Sequence, residues 1–184
     1  MRVISGSKKG LRLASLRNRT VRPTADSTKE LIFNVLGQAV AGNVVLDIYA
    51  GTGGLGIEAL SRGAAKAVFV ESARPVQKVI KENLVRVGFL EVSEIMPVRA
   101  ERALALLTQR NMKFDLVLAD PPYHLNLASE TVELLDRYDV LADDGWLVIE
   151  QSARSELIDS TPRLRLEIRK KRGDTCISFF KHEG

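Results

Sequence analysis

Val44-Val45-Leu46-Asp47-Ile48-Tyr49-Ala50-Gly51-Thr52-Gly53-Gly54-Leu55-Gly56 decides the architecture of this 184-residue chain. Val44 to Ile48 is an apolar run with one acid, of the length of a buried strand. Glycines crowd the turn after it, and Leu55 to Arg62 has helical spacing. Gly51, Gly53 and Gly56 spell G-x-G-x-x-G, and Glu71 stands 20 residues after Gly51. Alone, these residues fit a dinucleotide fold, because glycines permit close backbone approach and an acid accepts ribose hydroxyls. A plain tight turn is the simpler alternative. Asp47 argues against pyrophosphate: an anion before the glycines repels phosphate but pairs with a cationic portion of a ligand.

Working outward, strand and helix patterns alternate. Ala67 to Glu71 reads as the next strand and Pro75 to Val87 as a helix with its proline in the first turn. A third strand is expected near Ile95–Val98 and a helix over Ala100–Gln109. Phe114 to Ala119 is the fourth strand, followed by a helix over Ala128–Tyr138. A turn at Asp143-Asp144-Gly145 then leads to a fifth strand at Trp146–Glu150. Such alternation implies right-handed βαβ units and a mostly parallel sheet covered on both faces. Leu164 to Arg169 alternates strictly, and Thr175 to Lys181 follows Arg172-Gly173-Asp174, which predicts a terminal antiparallel hairpin. Before the first strand, Leu31, Ile32, Val35 and Leu36 mark a helix that Thr24 or Asp26 can cap, with Glu30 in its first turn. Residues 2–5 and 11–14 predict a small N-terminal β-hairpin. The chain divides into a basic extension over residues 1–22 and one α/β domain over residues 23–184.

Composition excludes several classes. Hydrophobic content of 45% and charged content of 27% are those of a globular domain. No apolar run approaches the ~20 residues of a membrane span, and Met1 to Gly6 has no signal-peptide core. A cytoplasmic monomer is the natural reading. Cys176, the single cysteine, excludes an internal disulfide and a multi-cysteine metal site, and with two histidines, His124 and His182, no metal is expected. Cys176 reads as a core or half-buried thiol. Charge is uneven: residues 1–22 carry seven cations and no acid, and residues 163–184 carry seven cations and three acids. Basic ends around an acidic middle make nucleic acid the leading partner.

Leu116-Val117-Leu118-Ala119-Asp120-Pro121-Pro122-Tyr123 carries the chemistry. The two prolines fix φ and lack N–H groups, so the strand ends in a rigid turn. Rigid carbonyls beside a carboxylate and a flat ring suit gripping a planar amino group. In such sheets ligands bind beyond the carboxyl ends of the strands, so Asp47, Glu71 and Asp120 would share one crevice. The stretch resembles the Asp/Asn-Pro-Pro-aromatic motif of S-adenosylmethionine (SAM)-dependent methyltransferases acting on amino nitrogens. Nearly the whole chain resembles the bacterial RsmD family, the 16S rRNA (guanine-966-N2)-methyltransferases. Arg22-Pro23-Thr24 with Glu30 and Phe33-Asn34, Asp47 to Gly56 running into Glu58 to Ala64, Phe69-Val70-Glu71, Asp120 to Tyr123, and Gly173-Asp174-Thr175 carry the resemblance.

The resemblance implies a Rossmann-like class I SAM-dependent methyltransferase that methylates the exocyclic N2 of a guanine in 16S rRNA of a small-subunit particle, releasing S-adenosylhomocysteine. Asp120 and the Pro121 carbonyl would accept the two amino N–H bonds, with Pro122 holding the turn and Tyr123 stacking on an extruded base. Asp47, Gly51 and Gly53 would hold the methionine portion and Glu71 the ribose, while Arg22, Pro23 and Thr24 close over the cofactor. The Ala100 backbone or Glu101 would contact the adenine amine, since no aspartate stands in Val98 to Glu101. Tyr49 lines the pocket or packs. Arg172 replaces an expected tyrosine. Lys8, Lys9, Arg12, Arg17 and Arg19 would bind RNA phosphate, and His124 touches RNA or lies in an exposed loop. An adenine-N6 methyltransferase, a dehydrogenase and a silent RNA-binding protein of this fold are the alternatives.

Overall fold

A computed structural model describes residues 1–15, 23–122 and 127–183, without the side chains of residues 23–25. Arg17, Arg19, Arg22, Tyr123 and His124 therefore lie outside the described residues. The elements are α1 (Pro23–Leu36), β1 (Val44–Ile48), α2 (Gly54–Ser61), β2 (Lys66–Val70), α3 (Arg74–Val87), β3 (Ser93–Met96), α4 (Ala100–Gln109), β4 (Phe114–Ala119), α5 (Leu127–Tyr138), β5 (Leu141–Ser152), β6 (Leu164–Arg172) and β7 (Thr175–His182). Among the described residues no helix is long and apolar enough to cross a membrane.

The strands form one sheet in the order β3-β2-β1-β4-β5-β7-β6. β1 to β5 run parallel, and β7 enters antiparallel between β5 and β6. The chain moves outward from β1 through β2 to β3, then returns to β4 on the other side of β1. That reversal opens a crevice at the carboxyl ends of β1 and β4, which pair in register through Ile48 and Ala119. Alternate strand residues feed two cores, as the period of two requires. Val45, Leu118, Val148 and Phe179 pack on one face with Phe33, Ile57 and Leu84 of α1–α3. Leu46, Val117, Ile149 and Phe180 pack on the other with Leu104, Val132 and Leu135 of α4 and α5.

Several boundaries differ from expectation for physical reasons. Pro23 opens α1, where its fixed φ suits a first helical residue. Asp26 consequently sits inside the first turn rather than capping it, paired with Arg2 at 3.5 Å and Lys29 at 3.6 Å. Thr24 is likewise helical, and Glu30 lies in the second turn. Asp143-Asp144-Gly145 is no turn before a strand. β5 already starts at Leu141 opposite Phe114, and the register jumps to Leu116–Trp146, so the acidic residues bulge out of one strand. β3 ends at Met96, because the Val98 N–H folds back onto the Met96 carbonyl at 2.9 Å. At the N-terminus one antiparallel bridge joins Arg2 and Arg12, with the Val3 N–H on the Leu11 carbonyl at 3.0 Å. Longer strands do not form there, since the Ile4 and Ser5 N–H groups turn instead to the Glu58 carboxylate at 2.8 and 2.9 Å.

Candidate active site

β1 delivers Asp47 onto the α1–α3 side of the sheet, where it is 1% exposed. Its Oδ2 accepts the Gly56 N–H of α2 at 2.8 Å. This contact requires glycine: a Cβ at residue 56 would lie 2.4 Å from the Phe69 ring and 3.1 Å from Asp47 Oδ2. Burial pushes the Asp47 carboxyl up to about 7; the Gly56 N–H opposes that rise, and the charges of Asp120 and Glu71 add to it. The acids that follow β2 and β4 thus both act on Asp47. No cation pairs with Asp47 among the described residues.

The glycine loop bends through left-handed backbone at Gly51 (φ 56°) and at Gly53 (φ 82°), which caps α2. Glu71, one residue beyond β2, braces this loop by accepting the Gly51 N–H at 3.2 Å and the Ala73 N–H at 2.8 Å. A carboxylate offers about four acceptor positions, so capacity remains for hydroxyl donors. Tyr49 holds a left-handed φ of 62°, costly for a bulky side chain, and its hydroxyl meets Thr131 Oγ1 of α5 at 3.0 Å. It packs the loop against α5, and its burial raises the phenol pKa. Ala100 is buried at the start of α4, beyond the end of β3, while Glu101 beside it is exposed.

Asp120 is exposed immediately past β4; Pro121 is buried and Pro122 exposed. The basic residues of the first segment lie elsewhere. The Lys8 N–H meets Ser61 Oγ at 3.0 Å, and its ammonium stands 5.4 Å from the Phe89 ring centre. Ser61 ends α2 and Phe89 follows α3, and both helices run away from the carboxyl edge. Lys8 and Lys9 therefore sit toward the amino edge, remote from Asp120. Arg12 is exposed, its carbonyl accepting from Arg86 at 3.3 Å.

Three residues to which the sequence alone assigns no role hold the site's walls together. Asn83 of α3, fully buried, donates to the Thr52 carbonyl at 2.9 Å and exchanges bonds with the Ala14 N–H and carbonyl at 2.7 and 3.1 Å. Glu58, also fully buried, binds the Ile4 and Ser5 N–H groups and Arg62 Nε. Lys29 stands 3.8 Å from Glu58 and donates to the Arg2 carbonyl; burial pulls its pKa down against the pull of Glu58 and Asp26. The available signal was a polar residue on an apolar helical face, as with Asn83 between Ile80 and Leu84.

A glycine loop, strand-end acids and a β4 terminus of Asp-Pro-Pro at the switch point of this sheet define the Rossmann-like fold of the SAM-dependent methyltransferases. The chain belongs to the RsmD family: the family described as conserved hypothetical protein 95 matches residues 1–181. It is 37% identical over 184 residues to a putative rRNA methyltransferase of Bacillus subtilis (strain 168), covering 100% of both chains. It is 31% identical over 183 residues to ribosomal RNA small subunit methyltransferase D of Escherichia coli (strain K12), covering 100% of this chain and 90% of that one. The solved structure of a putative methyltransferase from Escherichia coli superposes with a TM-score of 0.86 at 29% identity, over 100% of this chain and 98% of that one. A putative methyltransferase complexed with SAH shares the fold alone, at 12% identity and a TM-score of 0.71, over 88% of this chain and 50% of that one.

Proposed function

We propose that this protein is a SAM-dependent methyltransferase that methylates the exocyclic N2 of a guanine in small-subunit rRNA, in the cytoplasm. The observation that carries the reading is the placement of Asp120 and its two prolines across the switch point from Asp47 and Glu71. A buried carboxyl held near neutrality without a cationic partner among the described residues fits the amino group of a bound amino-acid moiety. Glu71 keeps acceptor capacity for a ribose, and the Gly51 turn leaves its backbone open to approach.

When bound, SAM supplies a sulfonium methyl, which passes to the guanine nitrogen while the electron pair of the broken carbon–sulfur bond returns to sulfur, leaving S-adenosylhomocysteine. The amino nitrogen is a weak nucleophile, its lone pair delocalised into the base. Asp120 and the Pro121 carbonyl accept its two N–H bonds, aim the lone pair and stabilise the positive charge that develops. The proton then leaves to Asp120 or water. In-line positioning alone contributes on the order of 7–11 kcal/mol, so the chemistry calls for no strong base. Pro121 is buried, which fixes its carbonyl before substrate arrives. The exposed Lys9 and Arg12 meet RNA phosphates away from the reacting base.

Transfer of labelled methyl to RNA from cells lacking the protein, followed by nucleoside analysis, tests the reading. Label in N2-methylguanosine is expected; label in N6-methyladenosine or only in protein overturns it. Asp120→Ala abolishes transfer while SAM affinity stays within about tenfold, because Asp120 grips the base. Full activity in that variant refutes the role.

A further inference from the structure

A cavity lies at the same edge of the sheet as the proposed clamp. Gln151, Leu157, Asp159, Arg169, Lys171 and Cys176 line this cavity of about 600 Å³. That is the size of pockets that take nucleotides and similar small ligands. Its position follows from strand register. β4 and β5 pair through Ala119–Ile149, and two residues further stand Pro121 and Gln151. Gln151 pairs with Cys176, and Cys176 with Lys171. Strands are spaced ~4.8 Å apart, so the clamp and Lys171 are separated by roughly 15 Å across the edge.

The cavity is polar on its inner wall, and its rim sets the cations Arg169 and Lys171 beside the acids Glu156 and Asp159. Gln151 is 4% exposed; its amide nitrogen makes one long bond to the Ser155 carbonyl at 3.3 Å, and its amide oxygen has no partner among the described residues. A buried acceptor without a donor is destabilising, and a ligand N–H relieves it. Held by that single long bond, the amide can turn its oxygen into the cavity. Arg169-Lys170-Lys171-Arg172 runs along β6, the exposed edge strand, toward the carboxyl edge. Arg169 is paired with Asp159 at 2.7 Å, whereas Lys170 and Lys171 make no ion pair among the described residues. The cationic residues Lys8 and Lys9 stand at the opposite edge.

We infer that this cavity is a subsite for a nucleotide neighbouring the target guanine in the RNA, with Lys171 on its phosphate and the Gln151 amide oxygen accepting an N–H of its base. The inference rests on the RNA-methyltransferase reading above. It gives the C-terminal hairpin a substrate-positioning role.

Steady-state transfer to a small-subunit rRNA fragment, run over a series of salt concentrations, tests it in Lys171→Glu and Gln151→Leu. Lys171→Glu raises KM for RNA about tenfold or more, leaves kcat at saturating RNA and SAM affinity unchanged, and lowers the salt slope of binding by about 1. Gln151→Leu raises KM several-fold without lowering thermal stability; should it fail to fold, the surface variant Lys171→Glu decides alone. Wild-type KM and salt slope in Lys171→Glu overturn the subsite. Cations on an edge strand also discourage strand addition, so self-association of Lys171→Glu with unchanged RNA binding overturns it as well. Absence of methyl transfer to RNA by the wild-type protein overturns the functional reading and the subsite together.

Discussion

Asp47 carries its proton further toward neutral pH than an ordinary aspartate because it is 1% exposed and faces two other acids. Its folded-state pKa of about 7 lies above the value of 3.8 for a free side chain. Between those limits the folded chain holds more protons than the unfolded one, so this group's contribution to stability falls as pH rises from about 4 to about 7. The full loss is of the order of 4 kcal/mol. Asp47→Asn is therefore expected to melt higher than wild type at pH 8 and to show a flatter stability profile between pH 5 and pH 8 in thermal scans. A melting temperature lower than wild type at pH 8 contradicts this account. The same group couples binding to ionisation. At pH 6 a cationic ligand draws the proton off, so titration of S-adenosylhomocysteine in buffers of differing ionisation heat shows proton release, which Asp47→Asn abolishes. Gly56→Ala acts through shape instead. Its Cβ drives into the Phe69 ring, an overpacking worth about 1–3 kcal/mol, read as a lower urea midpoint.

At the scale of elements, the first fifteen residues are attached by buried side chains more than by strand pairing. Glu58 in α2 collects Ile4, Ser5, Arg62 and Lys29, and Asn83 in α3 collects Ala14 and Thr52. Glu58→Gln removes the one fully buried anion among these partners and leaves Lys29 to be balanced by Asp26. Breaking a buried pair on one side costs about 3–5 kcal/mol. The variant should unfold at lower urea and exchange the Ile4 and Ser5 amides faster than wild type; wild-type protection at both amides would show that Glu58 does not anchor the segment. These attachments explain what the sequence concealed. β1, β2 and β4 were legible because each is an apolar run ending at or beside an acid, and the same acids made the crevice legible. Glu58 and Lys29 were not, because a charged residue on a helix normally signals a solvated face. Asp143-Asp144-Gly145 has turn chemistry, yet pairing of Leu141 with Phe114 before it makes it a bulge. Pro23 likewise overrode Thr24 and Asp26 as the marker of the α1 start, since a fixed φ selects the first helical position whatever caps follow.

For the whole molecule, one sheet supplies the backs of both cores, so neither helical layer has an apolar partner once the sheet is lost. Phe33 on one face and Phe180 on the other are each fully buried, and the strands between them transmit loss of either core to its neighbour. Unfolding should then be a single transition. Trp146, partly buried on the α1–α3 side with the Lys181 ammonium 4.8 Å from its ring centre, reports one core by fluorescence, while far-UV circular dichroism reports all the helices. The proposed ligand crevice joins β1 and β4 at the centre of the sheet, so binding there should stabilise both layers equally. S-adenosylhomocysteine at a hundred times its Kd adds about 2.7 kcal/mol. For a chain of this length each kcal/mol moves the midpoint by about 2–4 °C, which gives an upward shift of roughly 5–11 °C. Both signals should shift by the same amount and remain superimposable. A fluorescence midpoint left behind while circular dichroism shifts would mean that the two layers unfold separately and that ligand reaches only one of them. No shift in either signal would remove the methyl-donor site from the crevice, because a ligand bound to the folded state alone must stabilise it.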